Sequence, residues 1–128
     1  MAERLGATWV GDALDRPPKT LDRALTFAPS GDVVVSALAS LRKGGVVAIN
    51  AIHLDRMRQF DYDSLLWGER QIRSVANMTR TDARDFLALA ERISLRPEAQ
   101  MFPLAESNEA LRLLKNEGLT EASAVIVP

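Results

Sequence analysis

Hydrophobic and polar positions along this chain switch repeatedly between two periods, and the switching predicts an α/β fold. Short apolar or β-branched runs occur at 8–10, 24–28, 46–49, 72–76 and 124–127. The middle runs are apolar at nearly every position, which suits parallel strands covered on both faces. Between the runs lie stretches with helical spacing. Over 32–43, Val34, Leu38 and Leu41 share one face, Asp32 opens the stretch, Arg42 and Lys43 close it, and Gly44-Gly45 follows. Each charge then complements the helix dipole at its own end, and a glycine takes the left-handed cap.

A second helix is expected from Thr81 to Ile93, with Ala83, Phe86, Leu87, Ala90 and Ile93 inward and Thr79 or Thr81 as N-cap. A third is expected over 106–117, with Ala110, Leu111 and Leu114 inward and Gly118 ending it. The segment 12–20, holding Pro17-Pro18, reads as a loop, and 53–68 as a long irregular connection. Right-handed crossovers turn this order into a parallel sheet with helices on its faces. Ligands in such sheets bind beyond the carboxyl ends of the strands, which directs attention to the loops 28–31, 50–53 and 76–79.

Composition narrows the function classes. The 128 residues are 47% hydrophobic and 26% charged, enough for a packed core. The net charge of −1 gives no electrostatic reason to expect nucleic acid or an anionic membrane as partner. Cysteine is absent, so the chain offers no thiolate nucleophile and no sulfur ligand for a metal. Residues 1–6 carry charges where a signal peptide needs an apolar core, and the expected location is cytoplasmic.

Candidate chemistry is sparse. His53 follows the apolar run 46–49 at the site of a functional imidazole, yet lacks a neighbouring ligand or nucleophile and reads first as a structural or solvent-facing residue. Asp61 and Asp63 could form an acid/base pair, but flanked by Tyr62 and Leu65-Leu66-Trp67 they read first as a solvated loop docked by aromatics. Gly44-Gly45 follows a helix rather than a strand and reads as a cap, not a phosphate cradle. The turn Ala28-Pro29-Ser30-Gly31-Asp32 does join strand to helix, and a nucleotide contact and a plain turn both stay open there. Arg70, Arg73, Arg80, Arg84 and Arg92 alternate with Glu69, Asp82, Asp85 and Glu91, the mark of a salt-bridged surface.

The order of these pieces resembles the C-terminal portion of the medium-chain, zinc-type alcohol dehydrogenases. The resemblance rests on Leu5-Gly6-Ala7-Thr8, Leu21-Asp22-Arg23-Ala24-Leu25-Thr26-Phe27-Ala28-Pro29, Ala39-Ser40-Leu41-Arg42-Lys43-Gly44-Gly45 and Ala51-Ile52-His53-Leu54. It continues through Leu66-Trp67-Gly68-Glu69-Arg70, Ser74-Val75-Ala76-Asn77-Met78-Thr79-Arg80, Phe102-Pro103-Leu104, Asn108-Glu109-Ala110-Leu111 and 122–128. It implies residues 1–77 as the distal part of a dinucleotide-binding domain, a partial Rossmann-type sheet. Residues 78–128 would be the C-terminal part of a catalytic domain, contributing a helix and a strand.

The same resemblance implies a sheet in spatial order 3-2-1-4-5-6 that this chain enters just before the third strand, at 8–10. Strands one and two, the glycine fingerprint and the zinc ligands then lie outside the chain, leaving the strand at 24–28 with an unpaired edge. Cofactor contacts would fall on Phe27, Ala28 and Pro29, on Asn50, Ala51 and Ile52, and on Val75, Ala76 and Asn77. These would serve a nicotinamide of NAD(H) mostly through backbone atoms. Family members often have an apolar residue or glycine where Asn50 stands, and many place a basic residue before the last strand, where this chain has Glu121-Ala122-Ser123. Zinc belongs to the family, but no metal ligand and no catalytic residue is assigned here.

The strand at 72–76 could join two copies into a homo-oligomer. The functional expectation is therefore a fragment of an NAD-linked, zinc-dependent alcohol dehydrogenase that orients the nicotinamide and is inactive alone. The alternatives are a non-catalytic nucleotide-binding or partner-completed module, and a receiver-type signalling domain, for which Asp12 alone does not supply the required acidic cluster.

Overall fold

The computed structural model describes residues 2–116, 118–119 and 123–128. They form two compact units, Met1–Met78 and Thr79–Pro128. The fold is mixed α/β with parallel sheets.

The first unit runs β1 (Leu21–Thr26), α1 (Gly31–Ala39), β2 (Leu41–Ile49), α2 (Tyr62–Leu65) and β3 (Gln71–Ser74). Its strands are parallel in the order β1-β2-β3. Because the chain steps across the sheet in one direction, right-handed crossovers place both connections on one face. Val34 and Leu38 of α1 meet Leu41, Val47 and Ile49 of β2, and Leu54, Phe60, Leu65 and Leu66 of the second connection pack on the same cluster.

The other face is bare. Registered neighbours on parallel strands point the same way, so Ala24, Val47 and Ile72 face the core while Leu25, Ala48 and Arg73 face away. Leu25 is 68% exposed, which corrects the expectation that these apolar runs are covered on both sides. The cause is topological: two same-handed crossovers supply one layer, not two.

The strand expected at 8–10 does not form. Residues 2–7 make a turn held by Leu5 N–H to the Ala2 carbonyl (3.1 Å), Trp9 and Val10 are exposed, and no described strand pairs with them. A strand needs a partner for its backbone groups, and none adjoins this one.

The expected cap at Gly44-Gly45 is also corrected. α1 ends at Ala39, with the Ser40 hydroxyl donating to the Ser36 carbonyl at 3.0 Å. Leu41 is already buried in the core and paired with Leu21. Pairing then jumps from Leu21↔Leu41 to Arg23↔Val46, so 42–45 bulge out of β2, and Gly44 takes φ +72° within the bulge. Burial of Leu41 outweighed the local cap pattern.

The second unit holds α3 (Arg80–Arg92), β4 (Ala99–Pro103), a 3-10 turn (Leu104–Glu106), α4 (Ser107–Lys115) and β5 (Ser123–Val127). β4 and β5 pair in parallel, with α4 in the crossover between them, and Phe102 of β4 and Ala110 of α4 are buried. β4 was not expected; its Ala99-Gln100-Met101 start carries little strand signal.

α3 begins on Thr79, whose hydroxyl and the Asp82 carboxylate form a reciprocal capping box. Of its expected inward residues, Phe86, Leu87 and Ile93 are exposed, and only Ala83 and Ala90 are half-buried. In α4, Leu111 and Leu114 are likewise exposed while Ala110 is buried. Helical spacing marks an apolar face on each helix, but the expectation that these faces turn inward is corrected: this unit supplies too little surface to cover them. The α4 end closes when the Gly118 amide donates to the Leu113 carbonyl at 2.8 Å. Glu117, Glu121 and Ala122, on which sequence readings fell, lie outside the described residues.

Candidate functional site

Parallel pairing puts the carboxyl ends of β1, β2 and β3 on one edge of the first unit. The Asn50 amide donates to the Thr26 carbonyl at 2.8 Å and the Val75 amide to the Ile49 carbonyl at 2.9 Å, carrying the ladder just past the strand ends. The three loops therefore leave the sheet side by side.

Phe27, Ala28 and Pro29 follow β1, Asn50, Ala51 and Ile52 follow β2, and Val75, Ala76 and Asn77 follow β3. Ala28 and Ala51 are half-buried, and Ala51 packs against the core cluster. Phe27, Val75 and Ile52 are exposed, Ile52 at 93%. The edge thus offers apolar side chains and main-chain groups on a rigid base, with few charges.

Behind the loops, the N-terminus of α1 is already occupied. Ser30 makes no side-chain cap; instead the Gly31 amide donates to Asp55 Oδ1, and the Asp55 amide approaches the Pro29 carbonyl at 3.5 Å. Asp32 in the same turn faces Arg58 at 3.5 Å. A carboxylate held at the positive end of a helix fills the place an external phosphate would take.

Gly31 is required there. A Cβ would lie 2.5 Å from the Arg56 carbonyl oxygen and 2.6 Å from Met57 Cα, because the chain after β2 crosses directly over it. Sequence reading did not single out Asp55, and no local pattern could have done so across a separation of 24 positions. Thr26 adds a further feature: its Oγ1 is buried without a hydrogen-bond partner at the end of β1.

The other candidates resolve into structure. His53 is exposed. Asp61 caps α2 by accepting the Ser64 amide at 2.8 Å, and this hydrogen bonding holds its carboxyl below the usual range. Arg70 donates to the Leu41 carbonyl at 3.0 Å and the Trp67 carbonyl at 2.8 Å, so it ties β2 to the turn before β3. Among the described residues no group of three or more His, Asp or Glu side chains is placed to hold a metal ion, and no helix is long and apolar enough to cross a membrane.

No family model matches the chain. It is 40% identical over 127 residues to the probable alcohol dehydrogenase AdhA of Mycobacterium tuberculosis, a match covering 99% of this chain. This chain resembles an alcohol dehydrogenase over its whole length. It spans 37% of that relative.

The fold agrees. The alcohol dehydrogenase of the archaeon Aeropyrum pernix superposes with a TM-score of 0.71 at 24% identity, over 99% of this chain and 39% of that one. The crotonyl-CoA carboxylase/reductase AntE, solved with NADP, superposes at 0.68 and 14% identity over 85% of this chain and 27% of that one. An alcohol dehydrogenase of Thermotoga maritima gives 0.67 at 16% identity, over 86% and 31%. The resemblance to the zinc-type alcohol dehydrogenases read from the sequence, as a C-terminal portion, agrees with this coverage.

Proposed function

We propose that the chain is the distal part of a zinc-dependent, NAD-linked alcohol dehydrogenase, and that its task there is to orient the nicotinamide. The observation that carries this reading is the shared edge formed by the ends of β1, β2 and β3. A nicotinamide needs an apolar resting place for its ring and fixed main-chain donors and acceptors for its carboxamide. Phe27, Ala51, Ile52 and Val75 supply the first, and the backbone of 27–29, 50–52 and 75–77 supplies the second.

The charge pattern favours the nicotinamide end over the phosphates. Asp55 already places a carboxylate at the α1 N-terminus, so a pyrophosphate would be repelled there, whereas the nicotinamide ring, cationic in NAD and neutral in NADH, carries no negative charge to be repelled. In a complete enzyme of this kind zinc acts as Lewis acid on the alcohol oxygen and NAD accepts hydride. This chain contributes no cysteine and a single, exposed histidine to such chemistry. A cytoplasmic location belongs to the same reading.

Purified chain supplied with zinc, NAD and a range of primary alcohols is expected to give no turnover above background. NADH added alone should bind only weakly, with a Kd on the order of 1 mM. Robust alcohol oxidation would contradict the proposal.

A second reading, a module completed by a partner polypeptide or a second copy, is favoured by the bare sheet face with Leu25, Phe27 and Val75 exposed. The outer edge of β3, within 72–76, is where a second copy could extend the sheet; Arg73 and Ser74 neither require nor forbid it.

A further inference from the structure

At the opposite, amino-terminal end of the sheet an open groove of about 1040 Å³ runs between the 42–45 bulge and the turn before β3. Its lining is strongly biased in charge. Arg42, Lys43, Arg70 and Arg73 line it with one carboxylate, Glu69, although the whole chain has 16 basic and 17 acidic residues.

The lining is also held in shape. The Gly44 amide donates to the Gly68 carbonyl at 2.9 Å, and Arg70 clamps the carbonyls of Leu41 and Trp67. Gly68 and Glu69 both have left-handed backbone, φ +88° and +62°, so the turn carrying Trp67 is sharply set. Tyr62 and Trp67 stand edge to face with ring centres 5.9 Å apart. Both remain more than half exposed.

Two of the four cations are spoken for. Arg70 serves the clamp, and Arg42 is bound to Asp22 and to the Lys43 carbonyl. Lys43 and Arg73 have no acidic partner among the described residues. The bulge is what throws Lys43 out of the sheet plane, and Gly68, at a φ of +88° that L side chains rarely adopt, lets the turn pass close to it, where an added Cβ would sit 3.0 Å from Lys43 Cγ.

We propose that this groove is a binding site for an anion bearing a flat ring, of the nucleoside-phosphate class, distinct from the carboxyl-end site. The ring rests against Trp67 and Tyr62, and the phosphate lies between Lys43 and Arg73. A ring face and two unpaired cations lining one groove recognise that combination better than either half alone. Lysine supplies a point charge and arginine a planar fork, which together suit phosphate oxygens.

The test is titration of the full chain with AMP, with adenosine and with inorganic phosphate, read by the fluorescence of its two tryptophans, Trp9 and Trp67, and by calorimetry. AMP should bind saturably, with adenosine and phosphate each weaker by about tenfold or more. Lys43→Ala with Arg73→Ala should weaken AMP by about tenfold, while thermal unfolding stays unchanged. Trp67→Phe should remove most of the fluorescence response, and raised salt should reduce AMP binding. The inference is overturned if AMP binds no better than phosphate, if the double variant binds AMP as well as the parent, or if neither readout saturates. Self-quenching that grows with protein concentration and ignores AMP would assign the groove to a second copy and overturn it equally. Failure here leaves the nicotinamide reading intact, because that reading rests on the loops after β1, β2 and β3, none of whose nine residues lines this groove.

Discussion

Gly31 shows how much can rest on one missing methyl group. The backbone of Arg56 and Met57 lies within 2.5–2.6 Å of where its Cβ would be, and backbone cannot swing aside as a flexible side chain can. Gly31→Ala is therefore expected to destabilise the first unit by about 1–3 kcal/mol, measured by urea denaturation. It should also disturb the Asp55 contact and the loops at the carboxyl edge. An unchanged midpoint would mean that the segment over α1 is not packed as described. Little of this was legible in the sequence. The turn 28–32 stood out as a strand-to-helix junction, but its partner Asp55 is fixed by tertiary crossing. Thr26 was visible only as a strand residue, with nothing to foretell a buried hydroxyl lacking a partner.

Among the elements, α3 separates what local chemistry decides from what packing decides. Its N-terminus was readable because Thr79 and Asp82 satisfy each other's backbone neighbours within one turn. Thr79→Ala should cost about 1 kcal/mol of helix stability, seen as faster amide exchange over 80–84, while Thr79→Ser should retain the protection. Hydrogen bonding from the Thr79 side chain, then from its backbone amide, lowers the Asp82 pKa below its ordinary 3.8. The folded-state value is thus the lower one. The cap's contribution is complete above the ordinary aspartate range and is lost as pH falls through the lowered value. Helix α3 should accordingly fray in acid before Thr79→Ala shows any further loss. The inward face of the same helix was misjudged, since Phe86, Leu87 and Ile93 need a covering surface that their own unit does not provide. The bulge at 42–45 was misjudged for the opposite reason: a glycine pair looks like a cap locally, and only the burial of Leu41 shows that the strand has already begun.

For the whole molecule, the α/β class and the parallel order of β1, β2 and β3 followed from alternating periods and short connections. The nine expected contact residues emerge at the ends of three adjacent strands for the same reason. The run at 8–10 failed as a strand because strand formation is not a local property. It requires a neighbour, and the neighbours implied by the dehydrogenase resemblance would belong to strands outside this sequence. Leu25 on the sheet and Phe86, Leu87 and Ile93 on α3 are likewise left exposed.

The most direct test is residue-resolved amide hydrogen exchange on the native chain, comparing β1, β2 and β3. The central claim is a parallel sheet in which, among the described residues, β2 alone is paired on both sides and the β1 edge is open. β2 amides at 46–49 should be the slowest in the first unit, with outward-facing amides of β1 and β3 exchanging far faster and 8–10 unprotected. Uniform protection across β1 and β2, or protection at 8–10, would mean that the edge is already paired and would contradict the account.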